Sequence, residues 1–276
     1  MWATEQMSWG MGMDLGLKGK IAIVAASSKG LGRATATALA ADGALVTING
    51  RDADALEQTA IEIRGATDGD VIAIPGDMAN PDDIERLIAE TVKLRGGLDI
   101  LICNAGGPPA GTFADFQDDQ PWLDAINLNL MSTLRLSRAA IPHLRERGGG
   151  SITNIVSISV KQPIPHLVLS NTARTAVTGL AKSLALELAP ENIRVNNVCP
   201  GITRTDRVIG LAERRAKANG TTIDEELEAD AASIPMGRIG EPDEFGKVCA
   251  FMASPAASFV TGQTITVDGG ALKSTF

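Results

Sequence analysis

Tyrosine is missing from all 276 residues, and the other aromatics are sparse, with three tryptophans and six phenylalanines. The chain therefore holds no phenol, an acid that titrates near ~10 and that a neighbouring cation can bring toward neutrality. Any proton this protein moves comes from another group. Cysteine is scarce as well. Cys103, Cys199 and Cys249 are scattered, odd in number and without a CxxC spacing, which excludes a recognisable zinc site and points to a reducing compartment. They read as small core residues, and no metal is expected. No run approaches the ~20 uninterrupted apolar residues of a membrane span. Residues 1–12 lack the basic start and continuous apolar core of a signal peptide. Positive charge is in deficit: 25 Lys and Arg against 33 Asp and Glu give a net charge of −8. Nucleic acid is thus a poor partner, and a bound phosphate must be held by local geometry. These absences leave a soluble, cytoplasmic protein whose partner is a small molecule.

What is present is regular alternation. Short apolar, β-branched runs predict strands over 20–26, 44–49, 71–75, 98–103, 150–157, 194–198 and 263–267. Most are continuously apolar, the pattern of strands buried on both faces. Amphipathic stretches between them predict helices over 31–42, 52–64, 81–95, 120–146, 170–188 and 242–252. The β-α-β repetition implies right-handed crossovers and a doubly wound, mostly parallel α/β sheet of seven strands with helices on both faces. Residues 1–16 are expected to be a flexible extension and 17–276 one domain. Within it, 203–235 carries blocks of both charges and is expected to overhang the strand ends as a mobile substrate flap.

Between the first strand and first helix stands Ala26-Ser27-Ser28-Lys29-Gly30-Leu31-Gly32. A tight glycine turn there aims backbone N–H groups and a helix N-terminus at a pyrophosphate. The second strand ends in Asn49-Gly50-Arg51, where selectivity for NAD calls for an acidic residue on the ribose. Arg51 and Lys29 instead offer cations to a 2′-phosphate, so the expected cofactor is NADP(H).

Further landmarks follow in order: Asp77-Met78, Asn104-Ala105-Gly106, Asn129, Ser157, Pro200-Gly201 and the ending Thr261-Gly262-Gln263 to Val267-Asp268-Gly269-Gly270. In this collinear series, from about residue 17 to 270, the chain resembles the short-chain dehydrogenase/reductases, and among them the 3-oxoacyl-carrier-protein reductases. The resemblance implies a Rossmann fold with strand order 3-2-1-4-5-6-7. It also implies that Ser27 to Leu31, Arg51, Asp77 and Met78 bind the adenine half of the cofactor. Asn104 to Gly106 would support the nicotinamide ribose and Ile202 with Thr205 the carboxamide, with Pro200 and Gly201 as further cofactor-binding positions. Relatives pair the helices corresponding to 120–146 and 170–188 about a two-fold axis, so a homotetramer is expected, with a dimer as the fallback. One departure lies in the loop itself, where the family's first glycine is Ala26; alanine is tolerable there if φ is negative.

The larger departure is catalytic. The family places a tyrosine thirteen residues after its serine and a lysine four further on. Counted from Ser157, those positions hold Ser170 and Arg174. An aliphatic hydroxyl is a far weaker acid than a phenol, and an arginine is a fixed cation that relays no proton. Ser170 and Arg174 still share a helix face, and Arg174 can donate to the cofactor ribose as the lysine does. Two sources of the proton stay open: Lys161, which follows Ser157 closely, or a water held by Ser170 and Asn129. His166 lies between prolines in a loop, and His143 near a helix C-terminus reads as structural. The expected function is an NADP(H)-dependent oxidoreductase interconverting a carbonyl and an alcohol with a non-standard proton donor. The alternative is a non-redox lyase or isomerase, or a nucleotide-binding sensor or scaffold, on the same fold.

Overall fold

The computed structural model describes residues 14–275; most of the expected extension over 1–16 lies outside the described residues. Seven strands form one sheet: β1 (Ile21–Val24), β2 (Leu45–Gly50), β3 (Val71–Pro75), β4 (Ile100–Cys103), β5 (Gly150–Ile155), β6 (Ile193–Pro200) and β7 (Thr264–Val267). Their order is β3-β2-β1-β4-β5-β6-β7, and every pair is parallel. The expected order holds, and "mostly parallel" becomes wholly parallel. Pleating decides how the core is divided. Ala22 and Val24 of β1 face a layer containing Leu39, Leu56 and Phe245. Ile21 and Ile23 face the opposite layer, with Leu87, Leu101, Leu136 and Leu144. A strand with apolar residues at successive positions can serve both layers. Each such side chain, fully buried, contributes roughly 1.5–3 kcal/mol.

The helices on the first face are α1 (Gly30–Ala41), α2 (Ala53–Thr67) and, late in the chain, α9 (Pro242–Ala253); α3 (Pro81–Arg95) packs on the second. Asp52 and Asn80 cap α2 and α3 by accepting from the backbone N–H of Ala55 and Asp82, which satisfies N–H groups the helix leaves open. All three cysteines are buried and unpaired, and burial pushes their thiols up to about 12.

One expectation fails in an informative way. The single helix over 120–146 is three pieces: α4 (Gln120–Ile126), a π-turn over Asn127–Met131, and α5 (Ser132–Glu146). The wide turn takes up an extra residue without ending the helix, so the apolar stripe runs on and the sequence pattern does not reveal it. Following β5, α6 (Val168–Leu188) begins two residues before the expected start.

The segment expected to be a flap, 203–235, is largely helical. Its charges build a helical hairpin of α7 (Asp206–Asn219) and α8 (Ile223–Ala232). Arg215 of α7 bonds Glu226 at 3.0 Å and Asp230 at 2.6 Å across the pair, and Glu226 is only 9% exposed. Hydrogen bonds from Thr221, Asn219 and Arg215 hold the Glu226 carboxyl down to about 2. A carboxyl depressed in the folded state stabilises it above the unfolded pKa near ~4.3 and loses that contribution as pH falls toward the folded value. The hairpin is therefore expected to loosen between about pH 4.5 and pH 2. Hydrogen exchange over 206–232 measured against pH tests this, and Glu226→Gln should bring fast exchange to neutral pH. Unchanged exchange in the variant would show that the carboxylate does not hold the pair.

Candidate active site

The strand order reverses between β1 and β4, and the crevice outside the carboxyl ends of the strands is where ligands bind in such sheets. A cleft of about 590 Å³ opens there. Its first wall is the loop after β1. Ala26 sits at φ 46, so the condition of a negative φ is not met and alanine holds the conformation glycine usually supplies, at a cost of roughly 1–2 kcal/mol. The surroundings fix it. Its N–H donates to Asn49 Oδ1 at 3.2 Å, and its carbonyl accepts from Asn104 Nδ2 at 2.9 Å. Gly32 makes this packing possible, since a Cβ there would lie 2.5 Å from the Ala26 carbonyl oxygen. Asn49 also donates to Ile74 and Gly76. A buried amide thus ties the ends of β1, β2 and β3 together, a role the sequence reading missed.

Lys29 begins α1 with no side-chain cap, and the first turn carries no acidic residue. A helix end with open N–H groups and no competing negative charge suits a pyrophosphate. The glycine cradle and this open helix end fit a dinucleotide.

Of the sequence-predicted cofactor residues, Ser28, Lys29, Gly30, Leu31, Arg51, Asp77, Met78, Asn104, Ala105, Gly106, Arg174, Pro200, Gly201, Ile202 and Thr205 all line the cleft. Ser27 does not. It is fully buried beneath the loop, its hydroxyl donating to the Val24 carbonyl at 2.6 Å. Arg51 is exposed with no carboxylate partner among the described residues, whereas Lys29 lies 3.5 Å from Asp206. Both members of that second pair are three-quarters exposed, at 75% and 74%, so the pair is weak and readily exchanged.

At the other end stand three of the predicted catalytic residues. Ser157 ends the stretch after β5 and caps a single turn, Ile158–Val160, its Oγ accepting from the Ser159 N–H at 3.1 Å. That leaves its own proton free to donate. Ser170 is 5% exposed and lines the cleft from the first turn of α6. One turn further, Arg174 donates to the carbonyls of Ile155 and Val156, each at 3.3 Å, and reaches those of Ala105 and Gly106. Burial, with the nearby Arg207 charge, lowers its pKa to about 10, so it remains a cation at neutral pH.

The other two stand behind. Asn129, in the π-turn, is 3% exposed; its Nδ2 donates to Ala125, and its Oδ1 has no partner. An orphaned buried acceptor is a place for water. Lys161 is not among the cleft-lining residues. It follows the turn over Ile158–Val160, and its charge acts on Cys199, as does that of Arg174. His166 is exposed at φ 59, and its carbonyl receives the Gly111 N–H at 2.7 Å. This pairing of two loops brings Ile164 and Leu167 into the wall. His143 lies 3.1 Å from Glu146 near the end of α5. Arg207, from α7, also lines the cleft; no motif marked it.

Fold and cleft together define the class: a dinucleotide-binding α/β protein with a hydroxyl-rich reaction end. Comparison with known proteins narrows it. A family model described as enoyl-(acyl carrier protein) reductase matches residues 25–271. The chain is 37% identical over 277 residues to dehydrogenase/reductase SDR family member 4 of Bos taurus, covering 99% of this chain and 94% of that protein. The human protein of the same name is 34% identical over 276 residues, covering 98% and 94%. Among solved structures, L-sorbose reductase from Gluconobacter frateurii, complexed with NADPH and L-sorbose, superposes with a TM-score of 0.90 at 32% identity, over 95% of this chain and 100% of that one. An actinorhodin polyketide ketoreductase variant with NADPH gives 0.88 at 31%, over 92% and 98%. The chain belongs to the short-chain dehydrogenase/reductase family and is an oxidoreductase. Among the described residues no helix is long and apolar enough to cross a membrane.

Proposed function

We propose that this protein is an NADPH-dependent reductase that interconverts a carbonyl and an alcohol without a phenolic acid. One observation carries the reading. Ser157, with its proton free, shares a single cleft with Ser170, Arg174 and the residues of the dinucleotide cradle. Gly30, Leu31 and the open end of α1 hold the pyrophosphate, and Arg51 the 2′-phosphate. Asp77 and Met78 border the adenine, and Asn104 to Gly106 with Thr205 the nicotinamide half. Bound there, the cofactor supplies the hydride.

The protein supplies the rest. Ser157 donates its hydroxyl proton as a hydrogen bond to the substrate carbonyl oxygen and polarises it. The charge that develops on that oxygen is stabilised by Arg174, whose partial burial strengthens the interaction. Ser170 passes its proton to the oxygen and is reprotonated from a water resting on Asn129 Oδ1, which in turn takes up a proton from solvent. In this scheme the positions of tyrosine and lysine are filled by Ser170 and Arg174. A serine–water relay is a weaker acid than a phenol, so turnover is expected toward the low end of the ~1–10³ s⁻¹ range.

Steady NADPH oxidation across ketones, aldehydes and oxoacyl thioesters tests the reading; NADPH binding without consumption on the whole panel would oppose it. Lys161 has no part in this scheme, and Lys161→Met is expected to retain kcat within about threefold. A loss of ~10²-fold or more would return the proton to Lys161. The reading extends to assembly. Leu134, Ile141, Leu180 and Leu184 of α5 and α6 line an open groove, and Leu186 is 71% exposed. Both features support pairing of these helices between copies in a homotetramer, with a dimer as the fallback.

A further inference from the structure

Two arginines grip one loop at the substrate end of the cleft. Arg174 reaches the carbonyls of Ala105 and Gly106 from one side at 3.4–3.5 Å. From the hairpin side, Arg207 donates to the Pro108 carbonyl at 3.3 Å. Its guanidinium lies close against Gly107, where the Cβ of any other residue would collide with it. Both arginines line the cleft.

Neither is neutralised. Every hydrogen-bond partner of the pair is a backbone carbonyl, and among the described residues no carboxylate lies within ion-pair distance of either. Elsewhere the protein pairs its arginines freely, as in Arg238 with Glu244 and Arg95 with Asp70. Asp206, the neighbour of Arg207, turns instead toward Lys29. The two cations also oppose one another. Burial and the Arg207 charge lower the Arg174 pKa, while burial and Arg214 lower that of Arg207. Like charges held together without a counterion are costly, and an anion placed between them relieves both. In the proposed arrangement the glycine loop, the end of α1 and Arg51 hold the cofactor phosphates, while Arg207 reaches the Pro108 carbonyl. The remaining walls, Ile164, Leu167, Val208 and Leu211, are apolar.

We propose that the substrate is a carbonyl compound bearing a carboxylate, which seats on Arg207 beside Arg174 while its apolar chain lies along Ile164, Leu167 and Leu211. This rests on the reductase reading for its carbonyl and on the arginine pair alone for its charge. A planar guanidinium matches a carboxylate through two parallel bonds, which orients the molecule as well as binding it.

The test uses the full-length protein loaded with NADPH and titrated calorimetrically with 2-, 3- and 4-oxo acids and the methyl ester of each. NADPH consumption is followed for the same pairs. At least one acid is expected to bind ~10-fold or more tightly than its ester. Arg207→Met should erase that preference while the NADPH Kd stays within about threefold, and Arg207→Lys should restore part of it. Esters that bind as well as acids throughout would overturn the proposal. So would an Arg207→Met variant that loses NADPH affinity yet keeps the acid preference. The two readings separate cleanly. Acids that bind selectively but are never reduced leave the anion site standing and remove the reductase. Acids and esters reduced alike do the reverse.

Discussion

Ser157→Ala is expected to lower kcat/KM for carbonyl reduction by ~10²–10³-fold, the usual effect of deleting one donor aimed at a developing oxyanion. The hydroxyl is engaged on one side only. Its oxygen accepts from the Ser159 N–H at 3.1 Å, which fixes the rotamer and leaves the proton as the only group it offers the cleft. Without a phenol in the chain, the oxygen is left with Ser170 and Arg174, neither of them a strong acid, so the loss should fall on kcat more than on KM. NADPH affinity should change by less than about threefold, because the serine binds the reacting oxygen rather than the cofactor. The cap bond would also be lost, at about 1 kcal/mol of stability; a melting curve separates this from the kinetic effect. Ser157→Thr keeps the hydroxyl and should recover much of the rate. Activity of Ser157→Ala within tenfold of the parent would place the polarising group elsewhere.

The second large effect is on cofactor choice. Arg51→Glu is expected to weaken NADPH by ~10²-fold or more and NADH by less than about threefold. A charge-assisted bond to phosphate contributes about 1.5–3 kcal/mol, and reversing the charge adds repulsion to that loss. Arg51 is exposed and has no carboxylate to leave behind, so the change removes a ligand contact without orphaning a partner. Exposure also makes the effect salt-dependent, strongest below ~0.1 M. Lys29→Glu should do less, since Lys29 already shares its charge with Asp206 at 3.5 Å. Equal losses for the two nucleotides in Arg51→Glu would contradict the assignment.

Apolar periodicity made the sheet legible. The strand β3 and the helix α3 fall at their expected bounds, because a continuous apolar run and a proline after an asparagine cap are strong local signals. The cofactor half of the cleft was legible for a related reason: its residues sit at strand ends, where order along the chain fixes position in space. What sequence could not carry was phase and orientation. A π-turn leaves the apolar stripe intact, so α4 and α5 read as one helix. The hairpin α7–α8 is held by Arg215, Glu226 and Asp230 rather than by an apolar face, and its charges look like those of a loop until the partners are placed. Ala26 gave no hint of φ 46, since the strain is imposed by Asn49 and Asn104 from other strands. Lys161 follows Ser157 by four residues, yet it is not among the residues that line the cleft. Arg207 was invisible for the opposite reason, because only the third dimension brings α7 over Gly107.

The central claim is that hydride transfer persists here without a tyrosine. The direct test is reduction of a carbonyl substrate from the panel with NADPH carrying deuterium at the transferable position of nicotinamide C4, with mass analysis of the alcohol. The account predicts one deuterium on the carbinol carbon for each NADPH consumed, and ~10²–10³-fold less deuterated alcohol from Ser157→Ala at equal protein and time. NADPH bound tightly, with neither consumption nor deuterium in any product, would contradict it and leave a cofactor-binding protein that does no redox chemistry.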